Sequence, residues 1–89
     1  MRRRSIEYRY KCAEGCGTIG PEFKSLKKAR AYLERVRAGE VTGRPEPGMT
    51  IMRIRRYPDG GFQSEMLVND KWVPWHDYFL DYVERAQKS

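Results

Sequence analysis

The first part of the chain has the residue pattern of a strand followed by a turn. Residues 5–12 alternate between polar and apolar side chains, and a period of two residues is typical of a half-buried strand. Such a strand presents one apolar face and one polar face. Three glycines and a proline within residues 13–21 then predict a turn, after which residues 18–23 can return as a second strand.

A denser β pattern occupies the second half of the chain, and the fold prediction depends on it. Runs of mostly β-forming residues cover 50–57 and 62–68, with Pro58-Asp59-Gly60-Gly61 between them. Asp-Gly and Gly-Gly favour tight hairpin turns because glycine reaches positive φ without steric cost. Asn69-Asp70 then precedes a short run at 71–73. We therefore predict an antiparallel meander of three strands here.

Two amphipathic helices are predicted, one after each group of strands. The first follows Ser25, whose hydroxyl can cap the free amides of the first turn, and it ends near Ala38, before Gly39. The second follows Pro74 and begins at Trp75. Each helix has an apolar stripe at helical spacing. The stripe of the first consists of Leu26, Ala29, Leu33 and Val36, and that of the second consists of Trp75, Phe79, Val83 and Ala86.

The predicted fold is α+β, with a small antiparallel sheet of four to five strands and two helices in the order β(β)α-βββα. We expect both helices to cover the same face of the sheet. The 89 residues indicate one domain, residues 1–89, because domains commonly hold about 50–200 residues. Residues 1–4 are predicted to be a flexible basic start. Residues 40–48, with two glycines and two prolines, are predicted to form a loop between the halves.

The positive net charge indicates which kinds of partner the protein can bind. Lysine and arginine number 18 against 12 aspartates and glutamates, which gives a formal net charge of +6, and such a field attracts nucleic acid or acidic protein surfaces. No apolar run approaches the roughly 20 residues that a membrane helix needs. Charged residues follow the basic start where a signal peptide would continue with apolar residues. We therefore expect a cytoplasmic protein with reduced thiols and no membrane partner.

The leading functional prediction is a small non-enzymatic module that binds nucleic acid through a cationic sheet face. If Met52 and Ile54 belong to the core, Arg53 and Arg55 face outwards together with Ile51. Arginine can clamp phosphate with two hydrogen bonds, and an aromatic ring can stack on an unpaired base. A charged face exposed to water is equally ordinary in antiparallel sheets. The predicted nucleic-acid-binding residues are Arg2, Arg3, Arg4, Arg9, Lys11, Arg53, Arg55 and Tyr57.

The alternative is a protein-interaction adaptor or inhibitor that binds an acidic partner. Residues 72–82 contain five aromatic side chains, and exposed aromatic residues near arginine are typical interface anchors. The predicted contact residues are Trp72, Trp75 and Tyr78. Compact domains of this kind occur among phage and mobile-element accessory proteins, which is an analogy. The same aromatic residues could instead serve the core, since a short chain needs their large buried area.

Two cysteines suggest a third alternative, a fold supported by zinc. The sequence around them reads Tyr10-Lys11-Cys12-Ala13-Glu14-Gly15-Cys16-Gly17. It resembles the first knuckle of a zinc ribbon, although three residues separate the cysteines instead of two and no second cysteine pair follows. Structural zinc takes four ligands, and Cys12, Cys16 and His76 would supply three of them. Two small buried or hairpin-facing thiols are the main other interpretation, and a Cys12–Cys16 disulfide is a further one.

A homodimer is a further prediction about partners. The edge of a sheet presents unpaired backbone N–H and C=O groups that can pair with another chain. If residues 5–12 form an uncovered edge strand, two copies of the chain could pair through it.

Overall fold

A computed structural model describes residues 5–15 and 17–88, and in this range the chain is an α+β fold. Its sheet is antiparallel and five-stranded: β1 (Glu7–Glu14), β2 (Gly17–Phe23), β3 (Thr50–Arg56), β4 (Phe62–Val68) and β5 (Lys71–Pro74). The two helices are α1 (Leu26–Arg37) and α2 (Trp75–Lys88). The predicted fold class and element order are confirmed. Within the described residues, neither helix combines the length and apolar character needed to cross a membrane.

The turns between β3, β4 and β5 have the backbone that their sequences predict. Asn69 and Asp70 both have positive φ, 52° and 65°, as the central residues of a type I′ turn require. In the other hairpin, the backbone N–H of Tyr57 donates to the carbonyl of Gly61 at 2.8 Å. Gly60 within that turn has a φ of 94°. These two turns set the register of the three strands.

The first helix begins and ends where the sequence predicts. The Ser25 hydroxyl accepts a hydrogen bond from the backbone N–H of Lys28 at 3.4 Å. At the other end, Ala38 is the C-cap residue, and Gly39 after it has a φ of 87°. The apolar stripe between these ends faces the sheet and buries three side chains, Ala29, Leu33 and Val36.

The strand order β2-β1-β3-β4-β5 places β1 inside the sheet. Tyr10 pairs with Phe23 of β2, and Tyr10, Cys12 and Ala13 each have partners in both β2 and β3. The prediction that residues 5–12 form an uncovered edge is therefore wrong from Tyr10 onwards. The cause is the return arm after the glycine-rich turn, which covers this part of β1. The homodimer itself stays a prediction.

One face of the sheet packs against α1. Cys12 pairs with Ile51, and Tyr10 pairs with Arg53. Because directly opposed residues of neighbouring strands share a face, these four residues lie on the same side of the sheet. Cys12 and Ile51 are fully buried in one cluster with the apolar stripe of α1. We call this the α1 face; by alternation along the strands it also carries Tyr8 and Arg55.

The opposite face, which we call the α2 face, packs against α2. Met52 pairs with Met66 on it, and Met66 and Ala13 are almost completely buried. Trp75, the first residue of α2, lines a cavity together with Ala13 and Met52. The expectation that both helices share one face is therefore wrong. Adjacent positions of β1 and β3 are apolar, as Ala13 follows Cys12, so both faces need a cover.

Candidate nucleic-acid interface

The cationic sheet face predicted from the sequence does not form, because its members are divided between the two faces. Arg9 and Lys11 pair with apolar residues of β3 and lie on the α2 face. Arg53 and Arg55 lie on the α1 face. Arg2, Arg3 and Arg4 belong to the same prediction but lie outside the described residues.

The prediction failed because it placed Ile51 on the outward face of its strand. The prediction took Met52 and Ile54 as core and Ile51 as outward, whereas Ile51 is fully buried beneath α1. Ile54 is also buried, on the α2 face. A strand that is covered on both sides has no polar face to identify, so alternation alone does not show where its arginines point.

The arginines of the α1 face share one carboxylate. Arg53 donates from Nε and Nη2 to Glu65 Oε1 at 2.9 and 2.8 Å, and Arg55 Nη2 donates to the same oxygen at 3.1 Å. The Arg53 and Glu65 side chains are only 19% and 17% exposed. These arginines are thus largely engaged in an ion-pair network within the fold.

Aromatic rings hold the same arginines in place. The Arg53 guanidinium lies 4.3 Å from the ring centre of Trp72 and 5.7 Å from that of Tyr8. The pKa of Arg55 is raised, mainly by a hydrogen bond with Tyr57 and secondly by the negative charge of Glu65, so this side chain stays cationic. Cation–π contacts of this kind stabilise a desolvated guanidinium. The cluster therefore has a structural role that the sequence prediction did not include.

The arginines of the α2 face are also paired. Arg56 makes two hydrogen bonds to Glu22, at 3.1 and 2.9 Å. The Arg56 hydrogen bond is the main reason that the pKa of Glu22 lies below its usual range. Arg9 contacts Glu7 at 3.3 Å. A phosphate that approached either arginine would therefore compete with a carboxylate partner.

Four cations around the start of α1 have no carboxylate partner among the residues that the structure describes. Lys27 and Lys28 in its first turn, Lys24 just before it and Arg30 in its second turn are all exposed. None of them makes an ion pair with a described residue. We call these four residues the α1 basic patch. Its sequence signal is a run of four cations in residues 24–30 without one acidic side chain.

The position of the patch is unfavourable for the isolated helix. The first turn of α1 contains no acidic residue, and lysines there repel the positive end of the helix dipole. Each such charge costs about 0.3–1 kcal/mol at low ionic strength. A phosphate group at this end would instead be attracted by the dipole, the free amides and the lysines together.

The sheet separates Trp72 from the other two residues predicted for a protein interface, Trp75 and Tyr78, which both belong to α2. Trp72 lies on the α1 face against Arg53. Trp75 stacks on Phe79 on the other side of the sheet, with ring centres 4.9 Å apart. The hydroxyl of Tyr78 accepts a hydrogen bond from the backbone N–H of Gly15 at 2.9 Å. Each of the three predicted aromatic side chains therefore has a partner within the fold.

Two of the predicted metal ligands, Cys12 and His76, lie on opposite sides of the sheet. Cys12 is buried, with Sγ directed at the carbonyl of Ala29 at 4.0 Å, and burial raises the pKa of its thiol. His76 is exposed in α2, on the opposite side of the sheet. Cys16 lies outside the described residues. Across residues 5–15 and 17–88, no three His, Cys, Asp or Glu side chains are placed to hold a metal ion.

Comparison with protein-family models, with curated proteins and with solved structures gives no match for this chain. Functional inference therefore depends on the arrangement of charge and shape described above.

Proposed function

We propose that this protein is a small non-enzymatic module that binds nucleic acid through the α1 basic patch. The observation that carries the proposal is the contrast between the arginines of the sheet and the cations of α1. The sheet arginines Arg9, Arg53, Arg55 and Arg56 are paired with carboxylates. The four patch residues have no ion pair with any described residue and can contact phosphates without first breaking one.

Electrostatics and helix geometry support the same surface. Residues 22–37 carry six lysines and arginines against two glutamates, so much of the net charge is concentrated in and around α1. Phosphates supply most of the affinity of non-specific nucleic-acid binding, because each neutralised phosphate releases counterions. The four patch side chains are all cations and none is aromatic, so they suit contacts with phosphates rather than stacking on bases. We therefore expect binding with little sequence preference.

Substitution of two patch residues tests the proposal. We expect the K27Q/K28Q variant to bind a duplex DNA of about two helical turns at least tenfold more weakly than the wild type, a loss of about 1.4 kcal/mol. The melting temperature should be unchanged or slightly higher, because removal of lysines from the first turn relieves their repulsion with the helix dipole. Fluorescence anisotropy with labelled DNA and thermal denaturation measure the two quantities.

A matched variant controls for net charge. R85Q/K88Q removes the same two charges from the last turn of α2, where each cation pairs with an acidic residue four positions earlier. Its affinity for DNA should stay within about threefold of the wild type, because these positions lie outside the patch. Equal losses in the two variants would show that net charge alone attracts DNA, and would refute the assignment to α1.

A further inference from the structure

A second surface, on the α2 face, has the properties of a peptide-docking site. A cavity of about 360 Å³ lies beside the first turn of α2. Its apolar lining includes Ala13, Met52, Phe62 and Trp75, and its polar lining comes from Thr18, Gln63 and Ser64. Small-molecule sites range over about 300–1,000 Å³, so this cavity has room for one large side chain.

The mouth of the cavity exposes an aromatic ring. Phe62, the first residue of β4, is 69% exposed. Scattered exposed apolar residues are normal on protein surfaces. Phe62 differs because it lines a cavity whose wall also includes Trp75. An aromatic anchor beside a pocket is the arrangement found at the centre of many protein interfaces.

The charged residues beside the cavity indicate the charge of the partner that the cavity can bind. Lys11 pairs directly with Met52 across β1 and β3, so it stands on the α2 face next to the cavity lining. The neighbouring charges on this face are Arg9, Arg56, Glu7 and Glu22, which form two ion pairs among themselves. The charge of Lys11 helps to lower the pKa of Glu22, but Lys11 makes no ion pair with a described residue, so it is the cation of this group without a direct carboxylate partner.

We propose that this cavity binds an acidic peptide segment of a partner protein. A large apolar side chain of the peptide fills the space beside Trp75 and packs on Phe62, while a neighbouring carboxylate pairs with Lys11. A nucleic-acid strand fits less well, because the two arginines of this face are already engaged by glutamates and, among the described residues beside the cavity, Lys11 is the one cation left for a phosphate. This site is on the opposite side of the sheet from α1 and does not depend on DNA binding.

Synthetic peptides provide the probe. The test peptide is Ac-Asp-Glu-Phe-Asp-NH2; one control replaces its Phe with Ala, and another replaces its acids with Asn and Gln. Two-dimensional amide NMR of the full chain follows the titration. We expect saturable shifts centred on the amides of Ala13, Met52 and Ser64, and an affinity at least tenfold weaker for each control peptide. No saturable shift at these amides up to about 1 mM peptide would overturn the proposal.

Protein variants locate the site. Phe62→Ala and Lys11→Gln should each weaken binding of the test peptide at least threefold. Leu80→Ala should leave binding unchanged, since Leu80 is a similarly exposed apolar side chain of α2 (55%) that does not line the cavity. Equal effects of Phe62→Ala and Leu80→Ala would refute the site. A thymidine dinucleotide that shifts the same amides, when the peptide does not, would also refute it in favour of a base-binding pocket.

Discussion

Ile51 and Met52 are neighbours in β3 whose side chains point in opposite directions and face different environments. Ile51 is fully buried beneath α1, whereas Met52 is partly exposed beside the cavity of the α2 face. Their sequence gives no basis for this difference, since both are apolar and both fit a strand. Only the pairing of Ile51 with Cys12, and the packing of that pair on α1, distinguish them.

The two positions should therefore differ in their contribution to stability. Ile51→Ala should lower the free energy of unfolding by about 2–5 kcal/mol, because it leaves a cavity in the core. Met52→Ala should cost less than half as much, since its side chain is only partly removed from solvent. Urea denaturation of both variants gives the comparison. Equal costs would contradict the assignment of the two faces.

At the scale of elements, the sequence predicts the helices and hairpins well because their signals are local. Ser25 and Gly39 mark the ends of α1, and the Asn69-Asp70 turn adopts the positive φ values that its residues favour. The placement of α2 is not local. No residue of this helix is fully buried, so its apolar stripe is present in the sequence without showing which face of the sheet it meets.

A close contact with the turn after β1 helps to position α2. Gly15 has a φ of 60°, and a Cβ atom there would lie 2.9 Å from the ring of Tyr82. We expect Gly15→Ala to lower the free energy of unfolding by about 1–3 kcal/mol more than Gly60→Ala, because overpacking forces Tyr82 to move. Gly60 is the matched control: its φ is also positive, at 94°, and a Cβ there meets no atom within 4 Å.

Urea denaturation of the two glycine variants measures the difference. Both carry the cost of a positive φ in alanine, and this cost is larger at Gly60, whose φ of 94° lies outside the left-handed region, so an excess cost at Gly15 comes from the Tyr82 contact. If Gly15→Ala costs no more than Gly60→Ala, the packing of Tyr82 against this turn does not hold α2 in place.

At the scale of the whole molecule, composition predicts the positive charge but does not show where it is available. Arg53 and Glu65 are 12 residues apart in the sequence and Arg56 and Glu22 are 34 apart, and only the sheet brings them together. The sequence therefore predicts that the sheet arginines form a binding surface, whereas in the folded protein they are engaged in ion pairs with glutamates. The local run of cations at the start of α1 makes no ion pair with a described residue, although Glu34 follows Arg30 by one helical turn, and it forms the exposed basic patch.

The salt dependence of DNA binding tests the central claim most directly. If the four patch cations each contact a phosphate, the logarithm of the binding constant should fall with the logarithm of salt concentration with a slope near −3.6, at about −0.9 per contact. The slope of K27Q/K28Q should be shallower by about 1.8, and that of R85Q/K88Q should equal the wild-type slope. Slopes that fall equally in both variants, or wild-type binding that disappears by about 150 mM salt, would contradict the account.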